Sequence, residues 1–371
     1  MKRKHVLQVN IDNNGGNGAF SLMTYVYEYM SDEYIFDYYT MGQFVHDAVY
    51  ENIISNEGHC YSANLRKNKI FGHIRLPFRF YAFLKKHDYD IVHIHSEVAY
   101  KHYLYAIAAK KANIQNIVIH SHSNSVDGNC KLIKKIFHKL CKSKINKIGT
   151  TFLACSEQAA EWMFESYNLK SNKYHLLSNG IAPDKYKFSS EIREKIRKEL
   201  NIENCVVIGH VGALKWVKNQ KFLIEILQKL NDKNYKLILV GDGDDKEELI
   251  ELAKHKNCID NVLFLGSRCD VNELLQAMDI FIFPSIFEGV PVALIEAQAV
   301  GLPIIASDTI NHNVKINDNL YFYSLNEKVE KWILKIEELL GKHLTENGYM
   351  NVINSDYNIE NSANELKKIY D

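Results

Sequence analysis

Paired-cysteine spacing, long apolar runs, low-complexity tracts and a convincing internal repeat are all missing from this chain. The seven cysteines, at positions 60, 130, 141, 155, 205, 258 and 269, are odd in number and form no C-x-x-C pair. That argues against zinc or a disulfide framework and leaves free buried thiols. No run of 18 apolar residues occurs, and MKRKHVLQVN passes directly into strand-like sequence without a signal-type apolar region. The expectation is a cytoplasmic chain with no membrane span. Net charge is lacking too, since 45 Lys and Arg balance 45 Asp and Glu. With no aromatics interleaved in its basic run, the chain is a poor candidate for nucleic acid.

What is present is enough apolar sequence for two cores: 371 residues, 46% of them hydrophobic. The charge balance hides an asymmetry, with 22 basic and 15 acidic residues up to Gly180 and 23 against 30 after it. The two halves should therefore face different partners. Short Val- and Ile-rich runs alternate with longer helical patterns, which predicts α/β architecture with parallel sheets wrapped by helices. HVLQVN, DIVHIH, NIVIHSH, TFLACS and KYHLLSNG read as strands of the first half, and CVVIGHVGAL, YKLILVGDG, NVLFLG, DIFIFPS and PIIASD restart the cycle. We expect two doubly wound, Rossmann-like domains, 1–182 and 183–352, joined near Ile181 to Ser190. Residues 353–371 should form a C-terminal helix packing back on the first domain. Ligands of such folds collect at the carboxyl ends of strands, so the cleft between the domains is the expected site.

One stretch calls for chemistry. FPSIFEGVPVALIEAQAVGLPIIAS holds two acids, Glu288 and Glu296, among mostly apolar or small residues. The pattern predicts a strand to Pro284, a loop, and a helix from Pro291 to Gly301. Free N–H groups near Gly289, Val290 and Val292, with the helix dipole, attract a phosphate. Ionised carboxylates beside an anion site suit hydroxyls. The ligand class suggested is sugars carried on a diphosphate.

These residues resemble a known family. FEGVPVALIEAQAVGLP is similar to the E-x7-E signature of the retaining glycosyltransferases of family 4, which have the GT-B fold. HVGALKWVKNQKFLIEIL, KLILVGDGDD, VIHSHSNS, LACSEQAAEWMF and LLSNGI extend the likeness to the subgroup that builds bacterial capsule and exopolysaccharide. The resemblance implies transfer of a sugar from a nucleoside diphosphate sugar, by family habit a UDP-sugar, without a metal or other cofactor. The acceptor it implies is a saccharide, usually lipid-linked. It places Glu288 at the donor sugar's hydroxyls and Glu296 at the ribose. It also matches Gly212 and Lys218 to the loop that faces the diphosphate, but puts Ala213 where an arginine is usual. Lys215 or Arg268 would then supply the second cation. In NNGG, Gly15 and Gly16 correspond to a loop bordering phosphates and acceptor, while Gly18 stands where the family has a glutamate. His122 is favoured as the residue near the reacting sugar, with His120 second. His93 and His95 in DIVHIH are read as structural or, for His95, as acceptor-side.

KLIKKIFHKLCKSKINK, Lys131 to Lys147, is a basic amphipathic helix with two open readings. Either it lies on an anionic membrane surface, or its apolar stripe faces the core. The triplets Asp88-Tyr89-Asp90 and Asp242-Gly243-Asp244 are explained by turn geometry rather than by metal. Alternatives of other classes are a non-catalytic GT-B partner module and a nucleotide-sugar epimerase.

Overall fold

Near-continuous burial of branched and aromatic side chains, on both faces, drives the first sheet, and the chain between its strands supplies the covering helices. The computed structural model describes residues 3–12, 18–45, 48–65, 70–123, 131–230, 234–288, 290–341 and 347–371. Its first unit, Met1–Gly180 with Ile359–Asp371, is built on β1 (Lys4–Val9), β2 (Tyr34–Thr40), β3 (Cys60–Ser62), β4 (Ile91–Ser96), β5 (Asn116–Ser121), β6 (Thr151–Ala154) and β7 (Tyr174–Leu176). All pair parallel in the order 3-2-1-4-5-6-7. The connecting helices are α1 (Gly18–Glu28), α2 (Ala48–Ser55), α3 (Ile70–Leu84), α4 (Ala99–Lys111), α5 (Lys131–Ile145), α6 (Glu157–Met163) and α7 (Ser166–Leu169).

The second unit, Ile181–Asn358, carries α8 (Ser190–Glu199), β8 (Val206–Val211), α9 (Gln220–Leu230), β9 (Tyr235–Val240), α10 (Lys246–His255), β10 (Val262–Gly266) and α11 (Val271–Gln276). It continues with β11 (Ile280–Phe283), α12 (Val292–Val300), β12 (Ile304–Ser307), β13 (Leu320–Tyr323), α13 (Val329–Leu339) and α14 (Gly348–Ile353). Its parallel sheet runs 10-9-8-11-12-13. One core cluster contains Phe281, Phe283, Leu294 and Ile304, and the other contains Ile208, Leu239, Ile282 and Trp332. Neighbours along a strand thus fall into opposite clusters, as expected of a sheet buried on both faces. In each sheet the strand order reverses between the first strand and its later neighbour, β1 with β4 and β8 with β11. The loops leaving each of these two strand pairs flank a switch point of their own sheet.

The last helix, α15 (Ile359–Tyr370), belongs to the first unit. Gly180 permits this: a Cβ there would come within 2.8 Å of the Ile359 nitrogen and 2.6 Å of Ser362 Oγ. Lys4 pairs with Asp371 at 2.9 Å and Lys367 with Glu33 at 2.6 Å, fastening the helix at the surface.

Helix α5 departs from the core-facing alternative. It buries His138, Cys141 and Ile145, while Leu132 is 74% exposed, Ile133 55%, Ile136 52%, Phe137 53% and Leu140 59%. The apolar stripe therefore points away from the core. Both α3 and α5 pack on α4, and α3 adds Ile74 and Phe78, which are 57% and 72% exposed. Tyr100 on α4 sits edge-on to Phe137.

Candidate active site

Local sequence explains how the second unit brings its charges together. Val211 ends β8, and the Lys218 stem lies over the turn at Gly212, where a Cβ would stand 3.4 Å from Lys218 Cε and 3.3 Å from His210 Nε2. A short 3-10 turn, Trp216–Lys218, ends at Asn219, whose φ of 55° is left-handed, a conformation asparagine tolerates. Asn219 Nδ2 donates to the Pro284 carbonyl (3.3 Å), and the Ile286 N–H donates to Val217 (2.8 Å). These bonds join the loop after β8 to the loop after β11. Lys218 Nζ consequently lies 2.7 Å from Glu288 Oε1, with the two side chains only 20% and 12% exposed.

Beneath the pair, Lys218 sits 5.0 Å from the Phe283 ring centroid, and His210 stacks on the same ring. His210 Nδ1–H donates to the Ile282 carbonyl, and its Nε2 faces the amide of Gln220, which also donates to Ala213 O at 2.9 Å. Burial, reinforced by the Lys218 charge and opposed by the bond to Ile282, lowers the His210 pKa to about 4. The floor of the site is thus neutral, and the cation above it is Lys218. Gln220 holds the backbone at Ala213, the position where the resemblance leads one to expect an arginine.

Glu296 lies in the second turn of α12 and accepts a 2.6 Å hydrogen bond from Tyr186. Burial raises its pKa against the opposing pull of that bond. Tyr186 stands in the stretch read as a linker, at the end of a 3-10 turn, Pro183–Tyr186. Its participation was invisible because 110 residues separate it from Glu296. Pro291 caps α12 rather than opening it, and Gly301 ends the helix at φ 86°. Val290 is half-buried, Lys215 is exposed, and Gly15, Gly16 and Gly289 lie outside the described residues. Arg268 forks onto Asp270 through two bonds, which commits it to its own loop. Asp242 accepts from the Gly243 N–H, a turn role as expected.

In the first unit, register decides which histidines meet. Gln8 lies opposite His93, and His95 opposite His120, so Gln8, His93, His95 and His120 share one face of the sheet. His95 Nδ1 is 2.8 Å from His122 Nε2, and His93 Nε2 is 3.1 Å from His120 Nδ1. His95 Nε2–H donates to Gln8 Oε1 (2.7 Å), and the Tyr370 hydroxyl lies 2.6 Å from His93 Nδ1. His93, His95 and His120 are sealed from solvent, which makes them supports of the half-buried His122. Burial lowers all four pKa values, that of His122 to about 3. Ring nitrogens of His93, His95 and His120 lie within 4.8 Å of one another, a spacing that could hold a cation. Both nitrogens of His93 and of His95 are already engaged by hydrogen bonds.

Two family models match the chain, one described as Glycosyltransferase Family 4 over residues 49–185 and one as Glycosyl transferases group 1 over 192–350. The chain is 32% identical over 252 residues to a Bacillus subtilis (strain 168) protein named provisionally as the glycosyltransferase EpsF. That match covers 66% of this chain and 64% of EpsF, so it spans just under two thirds of the relative. A second relative is the Escherichia coli UDP-Gal:alpha-D-GlcNAc-diphosphoundecaprenol alpha-1,3-galactosyltransferase, 26% identical over 303 residues, covering 78% of this chain and 77% of that one. The crystal structure of Anabaena HepE in complex with UDP and glucose is similar over 99% of both chains, with a TM-score of 0.79 at 16% identity. At that identity the likeness is one of fold.

Proposed function

Because this chain is a family 4 glycosyltransferase with two Rossmann-like units of the GT-B kind, we propose that it transfers a sugar from a UDP-sugar to a lipid-linked saccharide. Transfer proceeds with retention at the anomeric carbon, during synthesis of a capsular, exopolysaccharide or related glycan. The observation that carries this reading is the Lys218–Glu288 pair at the switch point of the second sheet, with Glu296 in the second turn of the adjoining helix. The two charges form an ion pair, yet Glu288 Oε1 accepts no hydrogen bond among the described residues. With donor bound, Lys218 turns to the diphosphate and offsets the charge that develops on the leaving group, a large term in transfer reactions. Glu288 is released to accept from sugar hydroxyls. Glu296 engages one oxygen with Tyr186 and keeps the other for the ribose. Lys215 adds a second cation, and His122 faces the reacting sugar. No step needs a metal, because protein cations neutralise the diphosphate.

The lipid-linked acceptor gives the exposed stripe of α5 a use. Leu132, Ile136, Phe137 and Leu140 enter the interface of a membrane while Lys135 and Lys139 meet anionic headgroups. Each lysine near the surface contributes about 1 kcal/mol at low salt. The first unit's positive excess has the same sense.

A thermal-shift screen of nucleoside diphosphates tests the donor half. A diphosphate at 100 times its dissociation constant adds about 2.7 kcal/mol of stability. UDP should raise the melting temperature more than ADP or GDP, and UDP-sugar should be consumed only when a lipid-linked saccharide is added. No shift with any nucleoside diphosphate sinks the proposal.

A further inference from the structure

Trp216 is the tryptophan that the fold leaves outside. Trp332 is sealed in a core and its indole N–H donates to the Ser324 carbonyl, while Trp162 stacks on His138 and donates to the Glu97 carbonyl. Trp216 is 65% exposed, and its indole N–H has no partner among the described residues. Its backbone, by contrast, is pinned on both sides. The Leu214 N–H donates to the Asp242 carbonyl (3.0 Å), and the Leu214 carbonyl accepts from the Asp245 N–H (3.1 Å). The Lys218 N–H closes the turn onto the Lys215 carbonyl (2.8 Å), and the Val217 carbonyl accepts from the Ile286 N–H. A large ring is thus held out into solvent from a fixed turn. Among the described residues the second unit exposes three large aromatic side chains, Phe188, Trp216 and Phe287. Two of them stand on the loops that Ile286 and Val217 join, Phe287 next in sequence to Glu288 and Trp216 in the turn of Lys218.

We propose that Trp216 is a sugar-stacking residue, whose indole covers the C–H face of a sugar ring brought to the Lys218–Glu288 pair and whose N–H donates to one of that ring's hydroxyls. Hydroxyl groups exchange bonds to water for bonds to protein at small net gain. The apolar C–H face of the ring gains more from being covered, and its weakly positive hydrogens match the negative face of an aromatic ring. Indole adds a donor at its edge. A flat platform accepts a ring face made of C–H bonds and rejects one crossed by axial hydroxyls, which makes Trp216 a specificity-determining residue. The ring is that of the donor sugar or of the acceptor saccharide, which share this chemistry. The inference rests on the reading of Lys218 and Glu288 as the donor's partners.

Full-length protein labelled with fluorotryptophan gives one fluorine resonance for each of its three tryptophans, and Trp216→Phe identifies the one to follow. UDP alone should leave that resonance near its place. UDP-glucose, UDP-galactose or UDP-N-acetylglucosamine should move it where the donor sugar is the ring covered. Maltotriose or chitotriose added to the UDP complex should move it where the acceptor is. In calorimetry Trp216→Ala should leave UDP affinity unchanged and weaken the sugar that moved the resonance about 10-fold, the scale of one aromatic stacking contact. Trp216→Tyr should keep most of that affinity. Thermal unfolding of Trp216→Ala should match the wild type, since so much of the side chain is exposed. A resonance unmoved by every sugar while UDP binds overturns the inference alone. So does a Trp216→Ala loss that is equal for UDP and the UDP-sugars, which would make the indole a nucleotide contact. Failure of UDP and of every UDP-sugar to bind sinks the donor-site reading together with the inference.

Discussion

Lowering the pH from 7 to 5 loads the two units unequally, because neutral buried histidines are concentrated in the first. His93, His95, His102, His120 and His122 are all held well below the usual imidazole range, mainly by burial, with His102 and His122 at about 3. Among the described residues the second unit has one such group, His210, at about 4. A group whose folded pKa is depressed supports the fold fully above its unfolded pKa, here about 6.5. That support is lost as the pH falls towards the folded value. At pH 5 the unfolded chain gains about 2 kcal/mol per histidine that stays neutral in the fold. Five such groups in the first unit, against His210 among the described residues of the second, make acid cost the first unit more. A domain typically has about 5–15 kcal/mol in all. Glu296 acts in the opposite sense, since its raised pKa means that acid favours the folded second unit. Hydrogen exchange read by mass spectrometry across a pH series separates the units. Peptides from β4 and β5 should lose protection near pH 5, while those from β8 and β11 stay protected below it. Loss of both together, or of β8 and β11 first, would refute the reasoning.

Lys218→Ala should lower donor use at least 10-fold, about 1.4 kcal/mol, and leave Glu288 buried without its partner. Adding Glu288→Gln should restore part of the lost stability in urea unfolding; strict additivity would show that the pair does not interact. Glu288→Gln alone should reduce turnover more than UDP affinity, and equal losses in calorimetry and kinetics would contradict its place at the sugar. Tyr186→Phe removes the bond that holds the Glu296 pKa down, so UDP binding should weaken at a higher pH than in the wild type. An unchanged calorimetric pH profile would separate Glu296 from the nucleotide. Lys135→Gln with Lys139→Gln should weaken sedimentation with anionic vesicles by about 30-fold at low salt, from about 2 kcal/mol of lost attraction, and by less at high salt. Unchanged sedimentation would refute the membrane reading of α5.

The sequence alone determined the class of fold and named much of the proposed donor site, because those signals are local. Strand period, turn residues and the spacing of Glu288, Glu296, Gly212 and Lys218 each lie within one strand-loop-helix unit. Two kinds of strand escaped it. β2 reads YIFDYYT with every position buried, so the polar Asp37 and four aromatics gave no branched apolar run, while β3 and β13 are only three and four residues long. Amphipathic spacing in α5 separated two faces but could not say which one turns inward, since His138 and Cys141 serve as a buried stripe once α4 and Trp162 pack on them. Tertiary structure also decided every contact made across long stretches of chain. Tyr186 reaches Glu296 across 110 residues, His95 reaches Gln8 across 87, and His93 reaches Tyr370 across 277. A residue's own sequence neighbourhood carries its backbone preference and its hydrophobic period. Which partners its side chain meets is decided by strand register and the docking of the last helix, which bring them within hydrogen-bond range.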